Sequence, residues 1–293
     1  MKVRSPVHPA SINIMYFPAL TLMLVFIFHP FVRGLGMSLT DWNGYSEKFR
    51  WVGFHQYLKM ASDQNVLGSI RNTLVYGFGS TFLQTFFGLL LALFLDKPGR
   101  REAAVKTIVY LPVIVSPLIM GYIWHLFFRF SGGAVNDVLG WLGIGGTDWF
   151  AVGSRSVVII TLINAYQFVG VAMVMFLAGL QGIPPAYQEA AAIDGASTLQ
   201  RFRYITLPLL SPAFSSCVIF NIIGGMKLFD VIVATTDGGP GYASQSLSTM
   251  MYSLYFSKQE AGYAAALGNL MFVLIVAFSI MLLEYFKRTR VEA

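Results

Sequence analysis

Two clusters of polar side chains stand out because their neighbours are apolar. The first is Asn164, Tyr166 and Gln167, with Gly170 one turn further on; the second is Asn221, Gly224, Gly225, Lys227 and Asp230. Asn and Gln amides both donate and accept hydrogen bonds, an aromatic ring stacks on an apolar face, and glycines leave space beside them. Groups of this kind do one of two jobs at membrane depth. They join helices through small residues and interhelical amide bonds, or they line a polar path for a solute whose polar groups would be costly to leave unpaired in hydrocarbon. The combination favours a path, while either reading stays open for any one residue. Lys227 and Asp230 are three apart, so on one helical face they would form a charge pair that limits the cost of burying either. A structural pair at the water boundary is the expectation, and contact of Lys227 with an acidic solute is the narrower alternative. His29, His125 and Cys217 are lone residues among apolar neighbours, where packing is the default.

Several chemistries are excluded. There is no G-x-x-x-x-G-K-[ST] stretch to cradle nucleotide phosphates, no His, Glu and Asp cluster at metal-ligand spacing, and no G-x-S-x-G elbow. A single cysteine allows neither an internal disulfide nor a thiolate metal cage. A covalent step carried out by this polypeptide is therefore not expected, and any work must come from a partner.

The elements that position these residues follow from composition. Of 293 residues, 56% are apolar and 12% are charged, against about 25% charged in soluble domains. That is too little charge to cover a water-soluble protein of this size. Six stretches are long enough to cross hydrocarbon about 30 Å thick, which takes roughly 20 residues: 12–32, 73–95, 108–128, 156–180, 212–234 and 264–283. Five of the six contain no Asp, Glu, Lys or Arg, and the fifth holds Lys227 and Asp230. The expected fold is therefore all-α and polytopic, one transmembrane domain over 1–293. Pro18, Pro112 and Pro117 lie inside spans and predict kinks. The first span exceeds the apolar core of a signal peptide and has no small-x-small cleavage site after it, so it should remain as a helix.

Basic residues set the orientation. Segments 1–11, 96–107, 181–211 and 284–293 carry 11 Lys and Arg in 64 residues; 33–72, 129–155 and 235–263 carry 8 in 96. Both termini are thus expected in the cytoplasm. The same distribution accounts for the net charge of +6, and no basic-aromatic patch suggests a nucleic-acid partner.

The segment 181–211 is long for a bundle connection and is not polar filler. Pro184 and Pro185 suit the first turn of a helix, and Glu189 follows near its positive end. Ala190, Ala191 and Ala192 favour helix with almost no side chain, and Gly195 suits a left-handed cap. Small residues would let another surface approach closely, while Glu189 and Asp194 offer anionic contacts. A helix lying among headgroups is the alternative, but such a helix carries basic residues on its polar face and 184–196 has none.

Glu189-Ala190-Ala191, Asp194-Gly195-Ala196, Phe202 and Ile205-Thr206-Leu207-Pro208 resemble the "EAA" signature of binding-protein-dependent ABC importer permeases, and more narrowly the carbohydrate branch that includes the maltose permease subunit. Ser38-Leu39-Thr40-Asp41-Trp42, Arg71-Asn72-Thr73, Thr236-Asp237-Gly238-Gly239-Pro240 and Gly262-Tyr263-Ala264-Ala265-Ala266 agree with it. The resemblance implies a type I permease fold of six transmembrane helices. It also implies that Glu189, Ala190, Ala191, Asp194 and Gly195 form the coupling helix that receives motion from a cytoplasmic ATPase. Counting from Glu189, the family's sugar-contacting positions fall on Asn164, Gln167, Phe168 and Val171, then on Asn221, Gly224, Gly225 and Leu228. Gly225 and Leu228 stand where the maltose permease subunit has amides, which puts maltose itself in doubt.

The implied partners are a second permease subunit, expected to be a different chain, a pair of ATP-hydrolysing subunits, and an extracytoplasmic solute-binding protein docking on 33–72 and 235–263. A saccharide and membrane lipid complete the set. ATP and Mg are used by the partner ATPase, with no cofactor bound by this chain. The implied location is the bacterial inner (cytoplasmic) membrane. The competing class is an ion-coupled secondary carrier, which should show internal repeats and carboxylates at mid-membrane; no six-span self-similarity is visible.

Overall fold

The computed structural model describes residues 9–289, with side chains from 16 to 288. Lys2, Arg4 and Arg290, which enter the charge count for the two termini, lie outside the described residues, as do the side chains at the start of the 12–32 stretch. The described residues are helical with no β-strand; one isolated bridge joins Thr40 and Trp51.

Four helices are long and apolar enough to cross a membrane: α1 (Tyr16–Met37), α2 (Gln64–Leu95), α5 (Gly153–Gln181) and α9 (Ala261–Arg288). Two bent pairs raise the number to six if each is one span. In the first, α3 (Arg100–Ile114) meets α4 (Pro117–Phe127) at 98°. In the second, Thr198–Leu209 meets α7 (Ser211–Met226) at 64°. The surface helix α6 (Pro185–Ile193) follows α5, and the short helix α8 (Asp230–Thr235) follows α7.

Two of the expected spans are not continuous helices. In the 108–128 stretch, the break falls at Pro117 and not at Pro112. Val115 and Ser116 are extended, with ψ of 135° each, because a residue preceding proline is pushed out of the helical region. Pro112 lies within α3, two residues before its end. In the 212–234 stretch, α7 ends at Met226, Phe229 leaves helical geometry (φ −136°, ψ −63°), and the helix restarts at Asp230.

The chain also falls into two compact units where one domain was expected. One holds residues up to Ser62 together with Met251–Leu270; the other holds Asp63–Met250 and the chain from Met271 onward. In the first unit, the 38–60 segment is tied to the start of α9. Lys59 Nζ lies 2.6 Å from Glu260 Oε2 and over the Tyr263 ring. Trp42 O accepts from Gly262 N at 2.9 Å, and Tyr57 Oη accepts from Asn269 Nδ2 at 3.0 Å.

The second unit is built on α2 packed along α5. On α2, Gly77, Ser80, Thr81, Gln84, Thr85 and Gly88 recur at three- and four-residue intervals, and the four polar side chains are all buried. This small and polar stripe lets backbones approach. A Cβ on Gly88 would lie 2.6 Å from Ala172 Cβ, and one on Gly225 would lie 2.8 Å from Ser80 Oγ. A wide π-type turn at Val75–Gly79 brings Gly77 against Met226. The loop after α8 is pinned to α2. Asn72 Nδ2 donates to Ala243 O and Gln245 O, Tyr76 Oη to Ser244 O at 2.7 Å, and Leu247 N to Thr73 Oγ1 at 2.9 Å.

Candidate functional site

Within the second unit, a cavity of about 200 Å³ lies among α2, α4, α5 and the break between α7 and α8. Its wall from α5 is Asn164 and Phe168; Asn221, Gly224 and Gly225 come from α7, and Lys227 to Asp230 from the break itself. Irregular backbone at membrane depth is tolerated where it is buried in protein or lines a cavity, since its freed carbonyls need partners. Here Leu228 O accepts from Ser246 Oγ at 2.8 Å, and the cavity lies beside the rest. Interrupted helices of this type are a recurring way to build a solute site near the bilayer midplane.

The side chains at the cavity differ in how they are engaged. Asn164 is 3% exposed, and its amide forms no hydrogen bond among the described residues. Asn221 donates Nδ2 to Cys217 Sγ at 3.4 Å. Lys227 and Asp230 are both exposed at the break. They do not form the charge pair that their spacing suggested: the ion pairs among the described residues join Arg50 with Asp41, Lys59 with Glu260, and Lys287 with Glu284. The reason is local. Lys227 is the residue that ends α7, so the helical i,i+3 geometry needed to bring the two together no longer exists.

Two residues expected on the path stand elsewhere. Gln167 is fully buried and does not line the cavity; its Nε2 donates to Val115 O at 2.9 Å, a carbonyl left free by the Pro117 break. Gln167 therefore braces the bend between α3 and α4. Val171 lies one turn further along α5 and is likewise not part of the lining. Conversely, Gln84 lines the cavity and was not singled out by sequence reasoning. It is an isolated amide within a run of Phe and Leu, and only its place in the 77–88 stripe signals it.

The EAA residues occupy a separate surface. None of Pro185–Ile193 is buried. Pro185 opens α6, and the helix closes in a Schellman cap: Ala196 N bonds Ala191 O at 2.9 Å, Gly195 N bonds Ala192 O at 3.1 Å, and Gly195 takes φ +78°. Glu189, Ala190 and Asp194 are exposed, as is Ile193 at 87%. Gln188 Nε2 anchors the helix to Thr206 Oγ1 at 2.9 Å.

Residues 84–291 match the family model described as the binding-protein-dependent transport system inner membrane component. The chain belongs to this family. The permease is 33% identical over 271 residues to the trehalose/maltose transport system permease protein MalF of Thermococcus litoralis, covering 92% of each chain. Its fold matches the crystal structure of a bacterial ABC transporter involved in the import of the acidic polysaccharide alginate, with a TM-score of 0.82, 24% identity, and coverage of 95% of the permease and 96% of that chain. A second crystal structure, of a bacterial alginate ABC transporter in complex with an alginate pentasaccharide-bound periplasmic protein, matches with a TM-score of 0.80 at 24% identity, covering 93% of the permease and 92% of that chain. The permease thus has the all-α type I importer fold and is an inner-membrane component of a transport system that depends on a solute-binding protein. Nothing in these comparisons favours an ion-coupled secondary carrier.

Proposed function

We propose that the permease forms one wall of the path for a saccharide and that α6 couples it to a cytoplasmic ATPase pair. The observation that carries the path is the cavity at the α7–α8 break, where Asn164 and Asn221 line a space of about 200 Å³ beside Phe168. Amides match the donor and acceptor pattern of hydroxyls, and Phe168 and Phe220 supply rings for the apolar face of a pyranose. Relatives named for trehalose, maltose and alginate support the same class. At about 200 Å³, the space is smaller than the roughly 300–1,000 Å³ of a complete small-molecule site. The remaining wall belongs to a second permease subunit, which we take to be a different chain.

On this reading Glu189, Ala190, Ala191, Asp194 and Gly195 meet the ATPase. The exposure of α6 and its C-terminal Schellman cap support this: a short helix transmits displacement better than a loop. ATP and Mg act on the partner, since no phosphate-cradling motif exists in this chain. The density of Lys and Arg in 96–107 (Lys97, Arg100, Arg101 and Lys106) supports a cytoplasmic side for that loop, α6 and both termini. The 33–72 and 235–263 connections then face the binding protein.

Reconstitution tests the whole reading. Proteoliposomes holding this permease, its partner permease and the ATPase pair, supplied with binding protein, should take up the radiolabelled saccharide that the binding protein retains only with ATP inside. Uptake driven by a proton or sodium gradient without ATP would overturn it.

A further inference from the structure

This inference rests on the cavity being the transport path, and concerns a residue of α2 that neither the motif nor the spacing argument placed there. Gln84 is 2% exposed and lines the cavity beside Asn164 and Asn221. Its Nε2 donates to the backbone carbonyl of Asn164 at 3.0 Å. A carbonyl oxygen only accepts, so this bond decides which end of the amide is nitrogen. Oε1 is thereby fixed as an acceptor on the other branch; it has no hydrogen-bond partner among the described residues and is closed to solvent in this state, so a solute meets it as the cavity widens during transport. A buried acceptor left bare at membrane depth is costly and calls for a donor. Ser80, one turn earlier on the same face, sits within close-packing distance of Gly225, so this stripe of α2 is held directly against the α7 side of the cavity.

We propose that Gln84 is a solute contact: its Oε1 accepts a hydrogen bond from a hydroxyl of the saccharide, making α2 a third wall of the path beside α5 and α7. The tie to Asn164 holds the amide in one orientation, so the position takes a hydroxyl donor and rejects a solute that presents only an acceptor there. Asn164, whose own amide is unengaged, lies next to it and answers the same hydroxyl region with a group that both donates and accepts. The pairing explains why a long polar side chain occupies an otherwise small-residue face.

The test uses the complete reconstituted transporter in a Cys217→Ala background, which removes the one cysteine of the chain. Gln84→Cys and Asn164→Cys are exposed to 2-aminoethyl methanethiosulfonate during ATP turnover with binding protein present. Reaction of both is the expected result, whichever sugar the system carries. Reaction at 164 without reaction at 84 overturns this inference and leaves the path intact. Silence at both positions overturns the path reading and the inference with it. A second measurement separates contact from scaffold. Gln84→Met keeps the length but removes both the acceptor and the Nε2 bond to the Asn164 carbonyl, so uptake is read per folded complex. Uptake of the radiolabelled saccharide that the binding protein retains should fall about tenfold, equivalent to about 1.4 kcal/mol, whether or not the melting temperature drops. A lowered melting temperature with normal uptake per folded complex would make Gln84 a helix tie only.

Discussion

Gly195 is the residue at which backbone conformation is most demanding on the proposed coupling surface. At φ +78° a side chain strains the left-handed conformation by roughly 1–2 kcal/mol, although a Cβ there would meet nothing within 4 Å. Gly195→Ala should therefore fray the last turn of α6 without disturbing the bundle. Hydrogen exchange of the 194–196 amides should speed up while the melting temperature of the complex holds. Asp41 gives a pH test in the first unit. The Arg50 backbone N–H at 2.6 Å, then the Arg50 guanidinium at 2.9 Å, hold its carboxyl below the ordinary carboxylate value. With the folded value depressed, the stabilisation is complete above about pH 4 and is lost as pH falls through the lower folded value. Protection factors over 41–50, which are exchange rates corrected for the intrinsic pH dependence of amide exchange, should be flat from about pH 7 to 5 and fall only in stronger acid; a fall already near pH 6 would contradict the assignment. The legibility of single residues followed their neighbourhoods. Asn164 and Asn221 were visible because other polar residues and glycines surround them, whereas Gln84 was hidden among Phe82, Phe86 and Phe87. Gln167 was visible and misplaced, because a sequence does not show that a carbonyl at Val115 needs its amide more than a solute does.

At the scale of elements, the helices could be located from apolar length, but their breaks could not. Pro112 and Pro117 look alike in sequence; only the second begins a new helix, and the 98° bend follows from the two extended residues before it. The break at 227–229 has no proline or glycine within it, and Lys227 and Asp230 read as one helical face until the helix stops. Gln167→Leu should weaken the bend by about 1–3 kcal/mol, the cost of a buried carbonyl left unpaired. It should lower the melting temperature and leave solute selectivity as it was. Gly88→Val should be harsher, because its Cβ would fall 2.6 Å from Ala172 Cβ and 3.0 Å from Met173 N. The prediction is loss of folded protein by size-exclusion chromatography, and Gly88→Ala, which brings the same Cβ, should already lower the yield of folded protein.

For the whole molecule, family and fold were legible from the sequence because the EAA stretch and the six apolar segments repeat a pattern at fixed spacing. The division into two compact units was not, since it depends on contacts between residues about 200 positions apart, such as Lys59 with Glu260. The proposed coupling role belongs to this scale. Glu189→Lys reverses a charge on a helix that buries none of its residues, so folding and membrane insertion should be normal. Uptake should fall to background while ATP hydrolysis persists, and undiminished uptake would remove α6 from the mechanism.

The pinning of residues 243–247 by Asn72, Thr73 and Tyr76 has a bearing on biogenesis. The second helix leaves the ribosome some 170 residues before its hydrogen-bond partners do. During that interval its amide and phenol must find water, lipid headgroups or an insertion chaperone in place of the missing chain. A nascent permease stalled before residue 243 is thus a half-finished object whose second helix still lacks the partners of Asn72, Thr73 and Tyr76. Release from quality control should coincide with synthesis of that loop and not with completion of any single transmembrane helix.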